Sequence, residues 1–146
     1  MTLAERIQSE LTTAMKTQDA ARTGVLRLIK TSLTNERIKL GHELTEEEVL
    51  KIIQHEAKQR RDSIEAYNQA GRSDLATEEQ AELDLITQYL PQQMDEAELR
   101  AVVDQVVADM GSDKAQMGKI IGKVIGLTAG KADGASVSRL VKERLG

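Results

Sequence analysis

Apolar side chains recur at intervals of three and four residues along most of the chain, the spacing that places them on one face of an α-helix. Within the first 90 residues, four segments carry such stripes: Leu3, Ile7, Leu11 and Met15; Leu26, Ile29 and Leu33; Val49, Ile52, Ile53, Ala57, Ile64 and Tyr67; and Ala81, Leu85 and Tyr89. No segment alternates apolar and polar residues between hairpin-type turns, so we expect no strands. The pattern predicts a bundle of about four helices.

Capping residues stand in front of several stripes. Three pairs have the spacing of a capping box, in which a hydroxyl and a side chain three residues later satisfy free N–H groups: Thr2 with Glu5, Thr45 with Glu48, and Thr77 with Gln80. Asp19 and Asp95 are predicted as single caps, and Asp133 or Ser136 as the cap of the last helix. These signals predict where the helices begin.

The only proline, Pro91, marks a boundary. It cannot continue a helix interior, and it biases Leu90 away from the helical conformation. We therefore predict an N-terminal helical bundle at residues 1–90, a linker at 91–94 and a smaller C-terminal three-helix subdomain at 95–146. The stripes of that subdomain are Leu99, Val102, Val103, Val106, Val107 and Met110; Met117, Ile120, Ile121, Val124 and Ile125; and Val137, Leu140, Val141 and Leu145. The predicted fold class is all-α.

The composition excludes several kinds of chemistry. There is no cysteine, which excludes disulfides, thiolate metal sites and cysteine nucleophiles. The two histidines, His42 and His55, lack the spacing of a metal-binding pair, and no Ser–His–Asp or Ser–Lys set can be assembled. No apolar run reaches the roughly 18 residues of a membrane span, and the N-terminus lacks a signal-peptide pattern. We expect a cytoplasmic protein with no catalytic centre, no metal and no cofactor.

Charge is unevenly distributed along the chain. The net charge is −4, but residues 111–146 hold seven basic and three acidic side chains, so this segment is net positive. Such an excess favours an anionic partner, although a solvated basic face is the ordinary alternative. The candidate nucleic-acid-binding residues are Lys119, Lys123, Lys131, Arg139 and Lys142. With only two aromatic residues available for stacking on bases, RNA recognised by its shape and backbone is favoured over single strands, and no DNA partner is expected.

Three glycines, Gly118, Gly122 and Gly126, fall every four residues inside a predicted helix. Each costs about 0.8–1.0 kcal/mol relative to alanine, so a close approach should offset them. One interpretation is a flat surface for a neighbouring helix, as in small-xxx-small packing. The other is a place where a phosphate backbone approaches the helix. Of the two, we favour packing.

Three motifs in the sequence match a known family. They are RDSIEAY at 61–67, YLP at 89–91, and a C-terminal motif that runs from MGK at 117–119 through GKADG at 130–134 to Val141. Together they resemble the GatB/YqeY family, and in particular its stand-alone YqeY type, over essentially the whole chain. The last motif is the most specific.

The resemblance implies an all-helical protein with an N-terminal bundle and a smaller C-terminal helical subdomain. It also implies kinship with the tail of the B subunit of the tRNA-dependent aspartyl/glutamyl amidotransferase, a tail associated with tRNA recognition. The implied partner is tRNA, or a tRNA-dependent amidotransferase or synthetase assembly. Family-level labels would add carbon–nitrogen ligase activity with glutamine as amido-N-donor, as part of a larger complex, but no activated nucleophile is visible here. The alternative is a protein-interaction adaptor that docks partner helices on exposed aliphatic seams.

Overall fold

The computed structural model describes residues 1–146 and contains helices but no strands. The seven α-helices are α1 (Leu3–Lys16), α2 (Ala20–Leu40), α3 (Glu46–Gln69), α4 (Ser73–Thr87), α5 (Glu96–Met110), α6 (Met117–Thr128) and α7 (Gly134–Leu145). A short 3-10 helix, Lys114–Gln116, precedes α6. The all-α prediction is confirmed. The chain divides into two compact units, Met1–Leu90 and Pro91–Gly146.

Side-chain caps fix where most of the helices begin. Two predicted capping boxes are complete, at Thr2 for α1 and at Thr45 for α3. Single aspartate caps begin three further helices: Asp19 for α2, Asp95 for α5 and Asp133 for α7. The third predicted box is wrong, because α4 begins one turn earlier than Thr77, at Ser73. Thr77 therefore lies inside the helix, where its hydroxyl donates to the Ser73 carbonyl at 2.8 Å.

The first unit is built on an aliphatic core between α1, α2, α3 and α4. Its buried residues are Ile7, Leu11, Val25, Leu26, Ile29, Leu33, Val49, Ile53, Ala57, Leu83, Ile86, Tyr89 and Leu90. Met15 was expected to continue the α1 stripe but is 50% exposed, whereas Ala14 is 2% exposed. A strict four-residue spacing rotates by about 40° per step around a helix of 3.6 residues per turn. The next buried residue after Leu11 is therefore Ala14, three residues later, rather than Met15.

An ion network is buried where α2, α3 and α4 meet. Arg60 donates to Glu56 at 2.8 Å and to Glu82 at 3.2 Å, and the Ser32 hydroxyl donates to Glu56 at 2.9 Å. The Arg60 and Glu56 side chains are each only 11% exposed. Burial, followed by the nearby Glu82 carboxylate, raises the pKa of Glu79 at the edge of this network. Arg60 is thus a structural cation, fully engaged with carboxylates.

Tyr89 anchors the end of the first unit. Its hydroxyl donates to Glu10 at 3.1 Å and accepts from Arg22 at 3.1 Å. The Arg6 guanidinium lies 4.8 Å from the centre of the ring. Burial, and then the charge of Glu10, raise the pKa of Tyr89. Residues of α1 and α2 therefore hold the segment that leads out of α4.

Replacing Tyr89 by phenylalanine should lower the free energy of unfolding by about 1–2 kcal/mol. The change removes the hydroxyl from two charged partners and keeps the packing of the ring. Urea unfolding followed by far-UV circular dichroism measures the loss. The matched control is Tyr67→Phe, since the structure records no hydrogen bond for the half-buried Tyr67 hydroxyl. Equal losses in the two variants would show that the Tyr89 hydrogen bonds contribute nothing.

The second unit encloses a separate core between α5, α6 and α7. Its buried residues are Leu99, Val103, Val106, Val107, Ile120, Val124, Val137, Leu140, Val141 and Leu145. This unit has no aromatic residue, because both tyrosines lie in the first unit. The segment 91–94, expected to be a linker, is grouped with this unit. The Met94 N–H donates to the Lys131 carbonyl at 2.8 Å, and the Gln93 amide donates to the Gly130 carbonyl at 3.0 Å.

Candidate functional site

Helix α6 buries one face and leaves the other open. Ile120 and Val124 point into the core of the second unit and are 0% exposed. On the opposite side lie Gly118, Gly122 and Gly126, which we call the glycine strip, and all three are exposed. A methyl group added at any of them would meet no atom within 4 Å. The expectation that a neighbouring helix of this chain packs on these glycines is therefore wrong, because α5 and α7 both pack on the apolar face.

Two lysines border the glycine strip. At 100° per residue, Lys119 and Lys123 lie along one edge of it, and Ile125 lies along the other. Both lysines are exposed, and neither takes part in any ion pair of this unit. The open face of α6 therefore combines bare helix backbone with two free ammonium groups one turn apart.

The other two candidate lysines lie elsewhere in the second unit. Lys131 is exposed on the loop between α6 and α7, where its N–H donates to the Thr128 carbonyl at 2.7 Å. Lys142 is exposed in the last turn of α7. Neither takes part in an ion pair. Of the predicted cations, Lys119 and Lys123 are the two that are both unpaired and on one face of the same helix.

Arg139, unlike the candidate lysines, is paired with carboxylates. It contacts Glu96 at 3.0 Å and Glu143 at 3.4 Å. Arg100 bridges the same two carboxylates, at 3.1 Å each. The hydrogen bond from Arg139 is the main cause that lowers the pKa of Glu96, and the same bond raises the pKa of Arg139. Arg139 therefore offers no free charge, because two acidic residues balance the two arginines, and its part in nucleic-acid binding stays a prediction.

The positive charge of the second unit is concentrated on two of its helices. The whole second unit carries eight basic and eight acidic side chains, so its net charge is zero. Helix α5 is net −3, whereas α6 and α7 are each net +2. Arg144 of α7 also pairs with Asp104 of α5, at 3.1 Å. Because the arginines of α7 face the acidic α5, the unpaired charge is concentrated on lysines, above all those of α6.

One basic feature was absent from the sequence-based candidates. Helix α2 carries five basic residues and one acidic residue, although the first unit as a whole holds 12 basic and 16 acidic side chains. The net negative charge of the first unit conceals this excess. Counting it helix by helix would have revealed it.

No group in the structure has the composition of a metal site. Nowhere do three or more histidine, aspartate or glutamate side chains come together as metal ligands would. None of the helices combines the length and apolar character needed to cross a bilayer. Among the surface features of the structure, the open face of α6 is the one that best matches the sequence-based candidates.

Comparison with known proteins identifies the chain. The sequence profile of the Yqey-like protein family matches residues 4–145, across both units. A relative from Pyrenophora tritici-repentis (strain Pt-1C-BFP), described as "Altered inheritance of mitochondria protein 41, mitochondrial", is 27% identical over 144 residues, covering 97% of this chain and 80% of that protein. Since that relative is mitochondrial, a cytoplasmic location for this chain stays a prediction. The resemblance drawn from the motifs is confirmed, and the chain belongs to the Yqey-like protein family.

Proposed function

We propose that this chain is a non-catalytic helical module that binds structured RNA, with tRNA as the leading partner, through the open face of α6. The observation that carries the proposal is the unobstructed glycine strip beside two unpaired lysines. The choice of tRNA is supported by the kinship with the amidotransferase tail that the motif resemblance implies. Contacts of this kind act on the phosphate backbone and contribute little sequence preference.

The geometry of α6 suits a phosphate backbone. Lys119 and Lys123 are separated by about 6 Å along the helix axis, because four residues rise by about 1.5 Å each. Their ammonium groups attract phosphates without fixing a bidentate geometry. The adjacent glycines add no side chains, so an RNA strand held by the lysines is able to approach the helix backbone. This approach would offset the cost of three glycines inside a helix.

A second candidate is the protein-interaction adaptor, which is favoured by two exposed aliphatic side chains. Ile125, at the edge of the glycine strip, is 41% exposed, and Leu127, beyond the two lysines on the other side, is 56% exposed. A partner helix would pack against Ile125 and close over the glycines. Such a complex would survive nuclease treatment and would depend weakly on salt, whereas an RNA complex would not survive and would weaken steeply with salt.

Replacing both α6 lysines by glutamine should weaken tRNA binding and flatten its salt dependence. Fluorescence anisotropy with labelled tRNA between 50 and 200 mM salt gives the slope of log K against log salt, which should decrease in magnitude by about two for Lys119→Gln/Lys123→Gln. The affinity itself should fall by about tenfold at the lower salt concentrations.

The control for this experiment removes two paired cations from the same unit. Arg100→Gln/Arg144→Gln changes the net charge equally, but both arginines already contact carboxylates. Its effect on the slope should be less than half that of the lysine variant. Equal effects would refute a specific role of α6. Wild-type protein that binds no tRNA at 50 mM salt would refute the proposed function altogether, and glutamine-dependent amide transfer by the purified chain would refute its non-catalytic character.

A further inference from the structure

One row along α2 consists of hydrogen-bond donors alone. Alternating steps of four and three residues place its members on one stripe of the helix: Thr23, Arg27, Lys30, Thr34 and Arg37. We call these five residues the donor row. The three cations are exposed and the two threonines are half-buried, while the face of α2 beside the row is buried in the core. The row is about 21 Å long and contains neither an acidic nor an apolar residue.

The charges of the donor row are free or weakly held. Arg27 and Lys30 take part in none of the ion pairs of α2. Arg37 has one partner, Glu43, at 3.5 Å, and that carboxylate side chain is 88% exposed. Such exposed pairs contribute little to stability, so Arg37 is able to exchange Glu43 for another anion. Arg22, on the inner side of the helix, is held instead by Glu10, Asp19 and Tyr89.

The threonines of the row also have spare donors. Helical threonines commonly donate to a carbonyl one turn earlier. The structure records such bonds for Thr12, Thr13, Thr17, Thr77 and Thr128. It records none for the hydroxyls of Thr23 and Thr34. These two hydroxyls are therefore available to an acceptor from outside the chain.

The surroundings of the row do not neutralise it. Lys30, Thr34 and Arg37 form the rim of a recess of about 180 Å³, which also contains apolar residues of α1 and α2. The one acidic residue at this recess is Glu43. On α3 of the same unit, by contrast, each lysine forms an ion pair with one carboxylate. Lys51 pairs with Glu47 at 3.5 Å, and Lys58 pairs with Asp62 at 3.0 Å.

We infer that the donor row is a second contact to the phosphate backbone of RNA, on the first unit. Arginine, lysine and threonine are side chains that contact phosphates in nucleic-acid complexes. A docked protein helix would require apolar anchors at three- and four-residue spacing, and the row offers none. The inference rests on the proposed function for the identity of the partner, but not on α6.

The test uses the full chain with two α2 cations removed. Arg27→Gln/Lys30→Gln should weaken the binding of labelled tRNA by about tenfold and decrease the magnitude of the salt slope by about two. The matched control, Lys51→Gln/Lys58→Gln, removes two exposed cations from the same unit that are already paired, and it should retain wild-type affinity within about twofold. A second variant, Thr23→Val/Thr34→Val, changes no charge and should weaken binding by about threefold without altering the salt slope.

Each outcome of this comparison decides one of the two proposals. If Arg27→Gln/Lys30→Gln binds like wild type while the α6 lysine variant binds weakly, the donor row is no contact and the α6 proposal stands. If instead Arg27→Gln/Lys30→Gln binds weakly while the α6 lysine variant binds like wild type, the α6 proposal fails and the donor row stands. Losses in both variants support both surfaces. An equal loss in the α3 control would show a general effect of net charge and would overturn the inference.

Discussion

Replacing Gly118, Gly122 and Gly126 together by alanine is expected to raise the free energy of unfolding by about 2–3 kcal/mol. Each exposed glycine inside a helix costs about 0.8–1.0 kcal/mol relative to alanine. None of the three has a positive φ, and an added methyl group meets no atom within 4 Å. The gain should be visible in urea unfolding followed by far-UV circular dichroism. A loss of stability instead would mean that the strip is packed against other atoms.

The same triple variant should bind tRNA at least fivefold more weakly in the anisotropy assay. Three methyl groups would hold a phosphate strand away from the helix backbone, which weakens contacts that depend on close approach. The control is Gly134→Ala on α7, where the added methyl also meets nothing within 4 Å. It should leave the affinity unchanged. A stabilised triple variant with wild-type affinity would show that the glycines make no contact with the RNA.

Removing the Glu56 carboxylate is expected to lower the free energy of unfolding by about 3 kcal/mol. In Glu56→Ala, Arg60 keeps its charge but loses its shortest contact, at 2.8 Å, and the Ser32 hydroxyl loses its acceptor. Breaking a buried ion pair on one side costs about 3–5 kcal/mol. The lower end applies because Arg60 retains Glu82 at 3.2 Å. The midpoint and slope of urea unfolding give the value.

Two further variants test whether the loss of stability in Glu56→Ala comes from leaving the Arg60 charge buried and unpaired. Glu56→Ala/Arg60→Met removes both charges and should be less destabilised than Glu56→Ala alone, because no unpaired cation is left buried. Glu47→Ala breaks an exposed pair with Lys51 and should cost less than about 1 kcal/mol. If Glu56→Ala were no more costly than Glu47→Ala, the network would contribute nothing beyond a surface pair.

Local chemistry was enough to predict the helices, but not all of their boundaries. Thr2 and Thr45 cap helices because each follows a non-helical segment, and the spacing to a glutamate is then decisive. The same spacing at Thr77 is misleading, since a threonine and a glutamine three residues apart fit a helix interior equally well. The boundary depends on Gly71, whose φ of 73° ends α3 and lets α4 start two residues later.

The candidate site was less predictable because charge pairing is a tertiary property. Arg139 and Glu96 are 43 residues apart in sequence, so their contact depends on how α7 packs against α5. The glycine strip was visible in the sequence, but its exposure was decided by the side of α6 on which α5 and α7 pack. Lys119 and Lys123 are exposed because they lie outside the apolar stripe of their helix, and their contact with nucleic acid stays a prediction.

The placement of both tyrosines in the first unit gives the two halves of the chain different optical signatures. With no tryptophan or phenylalanine, near-ultraviolet absorption and emission arise from Tyr67 and Tyr89 alone. These signals report the melting of Met1–Leu90, while the helical amide signal sums over both units. Superimposable melting curves would mean that the halves lose their structure together. A tryptophan introduced after Pro91 would act as the sole chromophore of its kind and follow the second half by itself.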